Sequence, residues 1–147
     1  MKEQKVSVSR DIPHPPEAIF ALLASPKGHI RIDGSGTVKG QISGPEPLEL
    51  GSRFHMKMKL GPMPYRIRSE VKEFEENQLI AWSHLGKHRW RYELEPIDGG
   101  TRVTETFDWS TALSPKGIEL AGYPKKHPAN MDATLARIEE ILDADAS

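Results

Sequence analysis

The chain has 147 residues, with 20 Lys or Arg against 21 Asp or Glu and a net charge of −1, a balance that offers no concentrated field for nucleic acid. It has no Cys, which excludes disulfide frameworks, thiolate metal sites and cysteine nucleophiles and fits a reducing cytoplasm. The length suits one domain spanning residues 1–147, large enough to build a core without a covalent staple.

The opening MKEQKVSVSRDI lacks the apolar run of a signal peptide, and nothing later approaches the ~20 apolar residues of a membrane-spanning helix. A soluble, unprocessed chain without stable membrane insertion is expected. Instead, Lys5 to Ile12 alternates, with Val6, Val8 and Ile12 on one face, as a half-buried strand does. Pro15-Pro16-Glu17 then places proline and an acid in a first helical turn, ahead of Ile19, Phe20, Leu22 and Leu23 at helical spacing. Ser25-Pro26 predicts an N-cap and a proline at the first position of a second short helix, which ends before the turn Asp33-Gly34-Ser35-Gly36.

From Thr37 to Trp109 the pattern has period two, broken at Gly44-Pro45, Gly61-Pro62, Asn77, Gly86 and Asp98-Gly99-Gly100, as hairpin turns would break it. Phe54, Met56, Met58 and Leu60 share one face of a strand, while Arg53, His55, Lys57 and Lys59 share the other. Between Leu79 and Glu95, a loop of Leu85-Gly86-Lys87 sets His84 opposite His88, Trp82 opposite Trp90 and Ile80 opposite Tyr92. The reverse face then carries Ser83, Arg89, Arg91, Glu93 and Glu95, so loop length and polarity choose the same register. In Thr101 to Trp109 the same alternation groups Val103, Glu105, Phe107 and Trp109 inward and leaves Arg102, Thr104, Thr106 and Asp108 to water. Ser114-Pro115 suits a short turn or helix, and Tyr123 to Pro128 reads as a loop with a solvated Lys125-Lys126-His127 cluster. Asn130 caps a final helix with the stripe Met131, Leu135, Ile138, Ile141 and Leu142.

A strand, two short helices, about six further antiparallel strands and a terminal amphipathic helix form the element order of an α+β helix-grip fold. IPHPPEAIFALLASP, VKEFEENQLIAW and WRYELEPIDGGTRVTETF resemble the START-like (SRPBCC) superfamily, and within it the polyketide cyclase/dehydrase and lipid-transport group. The resemblance implies a curved antiparallel sheet of about seven strands around a long C-terminal helix, gripping a cavity for a lipid-like or polyketide-like molecule. These motifs mark scaffold, and the resemblance carries no catalytic residue.

The candidate ligand-binding residues are Phe54, Met56, Met58, Ile80, Trp82, His84, His88, Trp90, Tyr92, Glu105, Phe107, Met131 and Leu135, an adaptable lining of Met and aromatic side chains. Glu105 is the anomaly on an apolar face, and with His88 or Tyr92 it forms the candidate set for proton transfer. His29 either reaches the cavity entrance or lies on a surface loop. His84, His88 and Glu105 are compatible with a metal, but no HExxH or similar motif supports one, so no metal or other cofactor is expected. Gly34-Ser35-Gly36 precedes a strand and has Lys39 where a dinucleotide fingerprint needs its third glycine, and no GxSxG elbow is present.

Three functions follow: a carrier or sensor for a hydrophobic small molecule, a cofactor-independent cyclase or dehydratase using the same cavity, and a protein-interaction module using Lys57, Arg89 and Arg91 on the outer face. The partners expected are a hydrophobic ligand and no nucleic acid, in a monomer or a homodimer joined through an edge strand.

Overall fold

The computed structural model describes residues 5–32, 38–43, 47–60, 62–83, 88–110, 116 and 123–146. The alternating stretches form strands β1 (Lys5–Ile12), β2 (Val38–Ser43), β3 (Arg53–Leu60), β4 (Met63–Glu75), β5 (Leu79–Ser83), β6 (Arg89–Ile97) and β7 (Gly100–Asp108). They make one antiparallel sheet in the order β1-β7-β6-β5-β4-β3-β2. Two helices, α1 (Pro16–Leu23) and α2 (Pro26–Ile32), follow β1, and α3 (Tyr123–Ala146) follows the sheet. This is the α+β helix-grip arrangement, a curved open sheet with a C-terminal helix.

Local chemistry accounts for the joints. Asn77 and Gly99 adopt left-handed φ values of 63° and 79° in the β4–β5 and β6–β7 turns, a conformation that Asn and Gly enter at least cost. Ser25 caps α2, its Oγ accepting a hydrogen bond from the Gly28 amide at 3.0 Å. At Gly28 a Cβ would stand 2.2 Å from the Leu22 carbonyl oxygen, so glycine is what lets α2 lie this close to α1. The segment after β2 docks on the same joint, the Leu48 amide donating to the Ala24 carbonyl at 2.6 Å.

Four details depart from the sequence reading. The terminal helix begins at Tyr123, not at Asn130, and Tyr123–Pro128 belongs to it. Pro124 falls in the first turn, where its missing N–H needs no partner, and Pro128 forfeits one backbone bond in a helix of 24 residues. Thr106, expected in water, is buried, because its hydroxyl and that of Ser7 meet at 2.8 Å on the outer face. Ser83 is buried as well, a small side chain in register between Glu70 and Arg89. In β4 a register shift between Val71 and Glu73 adds a residue, so Val71 and Phe74 both turn toward the core, where Phe74 meets Phe20 edge-on at 5.5 Å. The reading of Ser114-Pro115 lies outside the described residues.

The stripe on α3 is buried as expected, at Met131, Leu135, Ile138, Ile141 and Leu142. Polar pairs flank it: the ion pairs Arg10–Glu139 at 3.0 Å and Arg31–Asp145 at 3.6 Å, and the hydrogen-bonded pair His14–Asp143 at 2.7 Å. Pairs this accessible contribute about 0–1 kcal/mol each, so apolar burial seats the helix and the pairs set its orientation on β1 and α2.

Candidate functional site

The inward side of β5, β6 and β7 gathers six of the sequence-predicted residues, Ile80, Trp82, Trp90, Tyr92, Glu105 and Phe107. Ile80 pairs with Tyr92 and Trp82 with Trp90, the register expected from the hairpin. On the next strand Tyr92 faces Glu105 and Trp90 faces Phe107, and Glu105 faces Val8 of β1 on its other side. Phe54, Met56, Ile80, Trp82, Tyr92, Glu105, Phe107, Met131 and Leu135 are buried, while Trp90 and His88 are half-buried. Met58 lies in β3, but its side chain, like the whole of His84, falls outside the described residues.

The rings fall into two groups. In the first, Trp82 is stacked between Tyr92 at 5.4 Å and His29 at 4.4 Å, and Phe54 meets Trp82 and His29 edge-on at 6.3 and 5.4 Å. In the second, Phe107 is surrounded by Trp90 at 4.8 Å, His88 at 5.3 Å and Trp109 at 5.8 Å. The apolar core divides in the same way, one cluster including Leu135 and Ile138 and a smaller one of Phe107, Trp109 and Met131. Glu105 stands between the two groups, across from Tyr92 and two residues before Phe107.

Glu105 is 2% exposed, and its Oε1 is closed to solvent. A carboxyl group is costly to bury, and here it has clear chemical uses: ionised, it accepts hydrogen bonds from a ligand, and protonated, it donates one to a carbonyl. His88 supplies a second polar group beside Phe107. Burial holds its imidazole below the ordinary value of 6.5, since desolvation disfavours the cation. It is therefore neutral near pH 7, with one donor and one acceptor nitrogen.

The shift has a sign that can be measured. As pH falls, the unfolded chain protonates His88 before the folded chain does, so stability present above 6.5 is lost on acidification below it. His88→Gln is expected to flatten the fall in melting temperature between about pH 6.5 and pH 5 relative to the parent. Parallel curves for the two proteins would contradict a desolvated His88.

His29 does not lie on a surface loop. It sits on α2, buried against Trp82, and its Nε2 donates to the Leu23 carbonyl at 2.6 Å. A carbonyl only accepts, so Nε2 carries a proton. Sequence alone hides this, because the ring's place depends on the close α1–α2 approach at Gly28. Among the described residues no group of three or more His, Asp or Glu is placed to hold a metal ion, and no helix is long and apolar enough to cross a membrane.

Comparison with known proteins agrees with this architecture. A family model described as polyketide cyclase / dehydrase and lipid transport matches residues 3–143. Uncharacterized protein Rv0088 of Mycobacterium tuberculosis is 43% identical over 141 residues, which cover 92% of this chain and 63% of that protein. The chain thus spans less than two thirds of that relative's length. Among solved structures, protein NE0264 from Nitrosomonas europaea is similar with a TM-score of 0.77 at 16% identity, covering 99% of this chain and 98% of that one. The Polyketide_cyc-like protein Cgl2372 from Corynebacterium glutamicum gives 0.67 at 21% identity, covering 99% and 95%. At such identities the structural likeness speaks for the fold, and the family match speaks for descent. With the helix-grip sheet and a match over nearly its whole length, the chain belongs to the polyketide cyclase/dehydrase and lipid-transport family of the SRPBCC superfamily.

Proposed function

We propose that the protein binds a hydrophobic small molecule, lipid-like or polyketide-like, between the inward face of β5–β7 and α3, as a carrier or sensor. One observation carries the reading: Glu105 is buried on a face otherwise built from Trp82, Trp90, Tyr92 and Phe107. A core that needed only packing gains nothing from a carboxylate there, whereas a ligand with one polar group among apolar atoms gains both orientation and affinity from it. Tyr92 faces the carboxylate across the strand pair and His88 adds a polar group further along the same face, beside Phe107, and the family description supports this ligand class.

Native mass spectrometry of freshly purified protein, followed by tryptophan fluorescence during titration with lipids and aromatic polyketides, tests it. Trp82 and Trp90 should report saturable binding, and any co-purified molecule should be recovered unaltered. A protein that carries no ligand and gives no saturable response to either class would rule the reading out.

A cyclase or dehydratase is the second reading, favoured by the direct cross-strand pairing of Tyr92 with Glu105 and by a neutral His88 further along the same face. Such a set can move protons at a substrate carbonyl. Chemical conversion of the bound molecule, instead of its recovery, separates this reading from the first.

A further inference from the structure

The outer face of the sheet is not uniform in charge. At its centre Arg89 and Arg91 close on Glu73 at 3.0 and 3.6 Å, so they are already matched. The β3–β4 hairpin is different. From Ser52 to Ser69 the sequence has five Lys or Arg, a His at position 55 and no Asp or Glu, although acids outnumber bases in the whole chain.

Register gathers these positions on one side. His55 pairs with Arg68, Lys57 with Arg66 and Lys59 with Pro64, and period two puts positions 53, 55 and 57 on the face opposite buried Phe54 and Met56. Arg53 is answered by Glu70 at 3.2 Å. Lys57 and Arg68 are exposed, and neither has an ion-pair partner among the described residues. The turn that joins the strands adds an apolar tip: Pro62, Met63 and Pro64 are all exposed, Met63 by 67%, whereas Met56 and Met131 are buried.

We propose that this hairpin is a docking surface for an anionic lipid bilayer, with its basic face on the headgroups and the Met63 tip in the interfacial layer. Charge complementarity selects an anionic partner, and the tip selects a bilayer. A nucleic acid would use the cations but give three exposed apolar residues nothing to enter, while a bilayer interface takes both. The basic face lies on the opposite side of the sheet from Glu105, and Met63 lies at the end of the hairpin, so docking stands independently of what the interior binds.

Co-sedimentation with vesicles of phosphatidylcholine alone, and of an equimolar phosphatidylcholine and phosphatidylglycerol mixture, tests the proposal. The protein should pellet with the anionic vesicles, stay in solution with the neutral ones, and be released as salt rises. At about fivefold in partition per basic residue, the double substitution Lys57→Glu, Arg68→Glu should weaken binding at least about tenfold. Met63→Ser should weaken it several-fold at unchanged charge. Melting curves confirm that each variant is folded, and the salt series and Met63→Ser decide the matter should the double variant not fold. Failure to pellet with either vesicle type, equal binding to both, or binding that Met63→Ser leaves intact and duplex DNA competes away would overturn the proposal, in favour of no docking, of docking without charge selection, or of a polyanion surface.

Discussion

Phe107→Ala is expected to cost about 3–5 kcal/mol of stability and to lower the melting temperature by roughly 10 °C or more. The residue is 1% exposed on β7, between β1 and β6, and its ring is the hub that Trp90, His88 and Trp109 share. Removing it leaves a hole whose walls are rigid aromatic rings and strand backbone, which collapse poorly, so both the lost transfer energy and the cavity term apply. Because the smaller apolar cluster has Met131 of α3 as its third member, the damage should spread to the seat of that helix. Chemical denaturation with tryptophan emission as the probe would register both effects. Parent-like stability would mean that these rings are not packed together.

Glu105→Gln should act in the opposite sense, sparing the fold and striking the site. The amide keeps the size of the carboxyl group and one acceptor oxygen but can neither ionise nor offer an acidic O–H, so unfolding should remain close to that of the parent. Affinity for a ligand hydroxyl or amine should fall about 10- to 100-fold, the usual worth of a charge-assisted hydrogen bond made away from water. In the enzymatic reading the same change should remove turnover while binding persists. Titration of the parent and the variant with the co-purified molecule, read by Trp82 and Trp90, gives the answer. Equal affinity and equal turnover would make Glu105 a structural carboxylate and remove the basis of the proposed function.

The parts of this picture that were legible in the sequence are those where two independent signals coincide. At the Trp82/Trp90 hairpin, loop length and polarity alternation chose one register, and the strands adopt it. Glu105 was visible because strict alternation along β7 forces it to the side of Val103 and Phe107, whatever the cost. Features that depend on a single extra or missing residue were not visible. The bulge in β4 adds one residue that a period-two pattern cannot register, and the start of α3 is masked by prolines whose composition reads as loop. His29 shows the third kind of gap: its stacking on Trp82 arises from how two short helices pack, which no local pattern encodes. The basic hairpin belongs with it, because bases that look dispersed along β3 and β4 become neighbours only once the strands are paired.

The pairing of β1 with β7 brings Lys5 beside Asp108 and Ile12 beside Thr101, and it bears on how the molecule acquires its shape. On a ribosome the first strand must wait for the seventh to emerge, its apolar side meanwhile uncovered. So large a sequence separation between partners raises the contact order and places folding on the millisecond-to-second scale typical of such topologies. During that interval the nascent chain depends on staying apart from its neighbours, and chain closure, not helix formation, sets the pace.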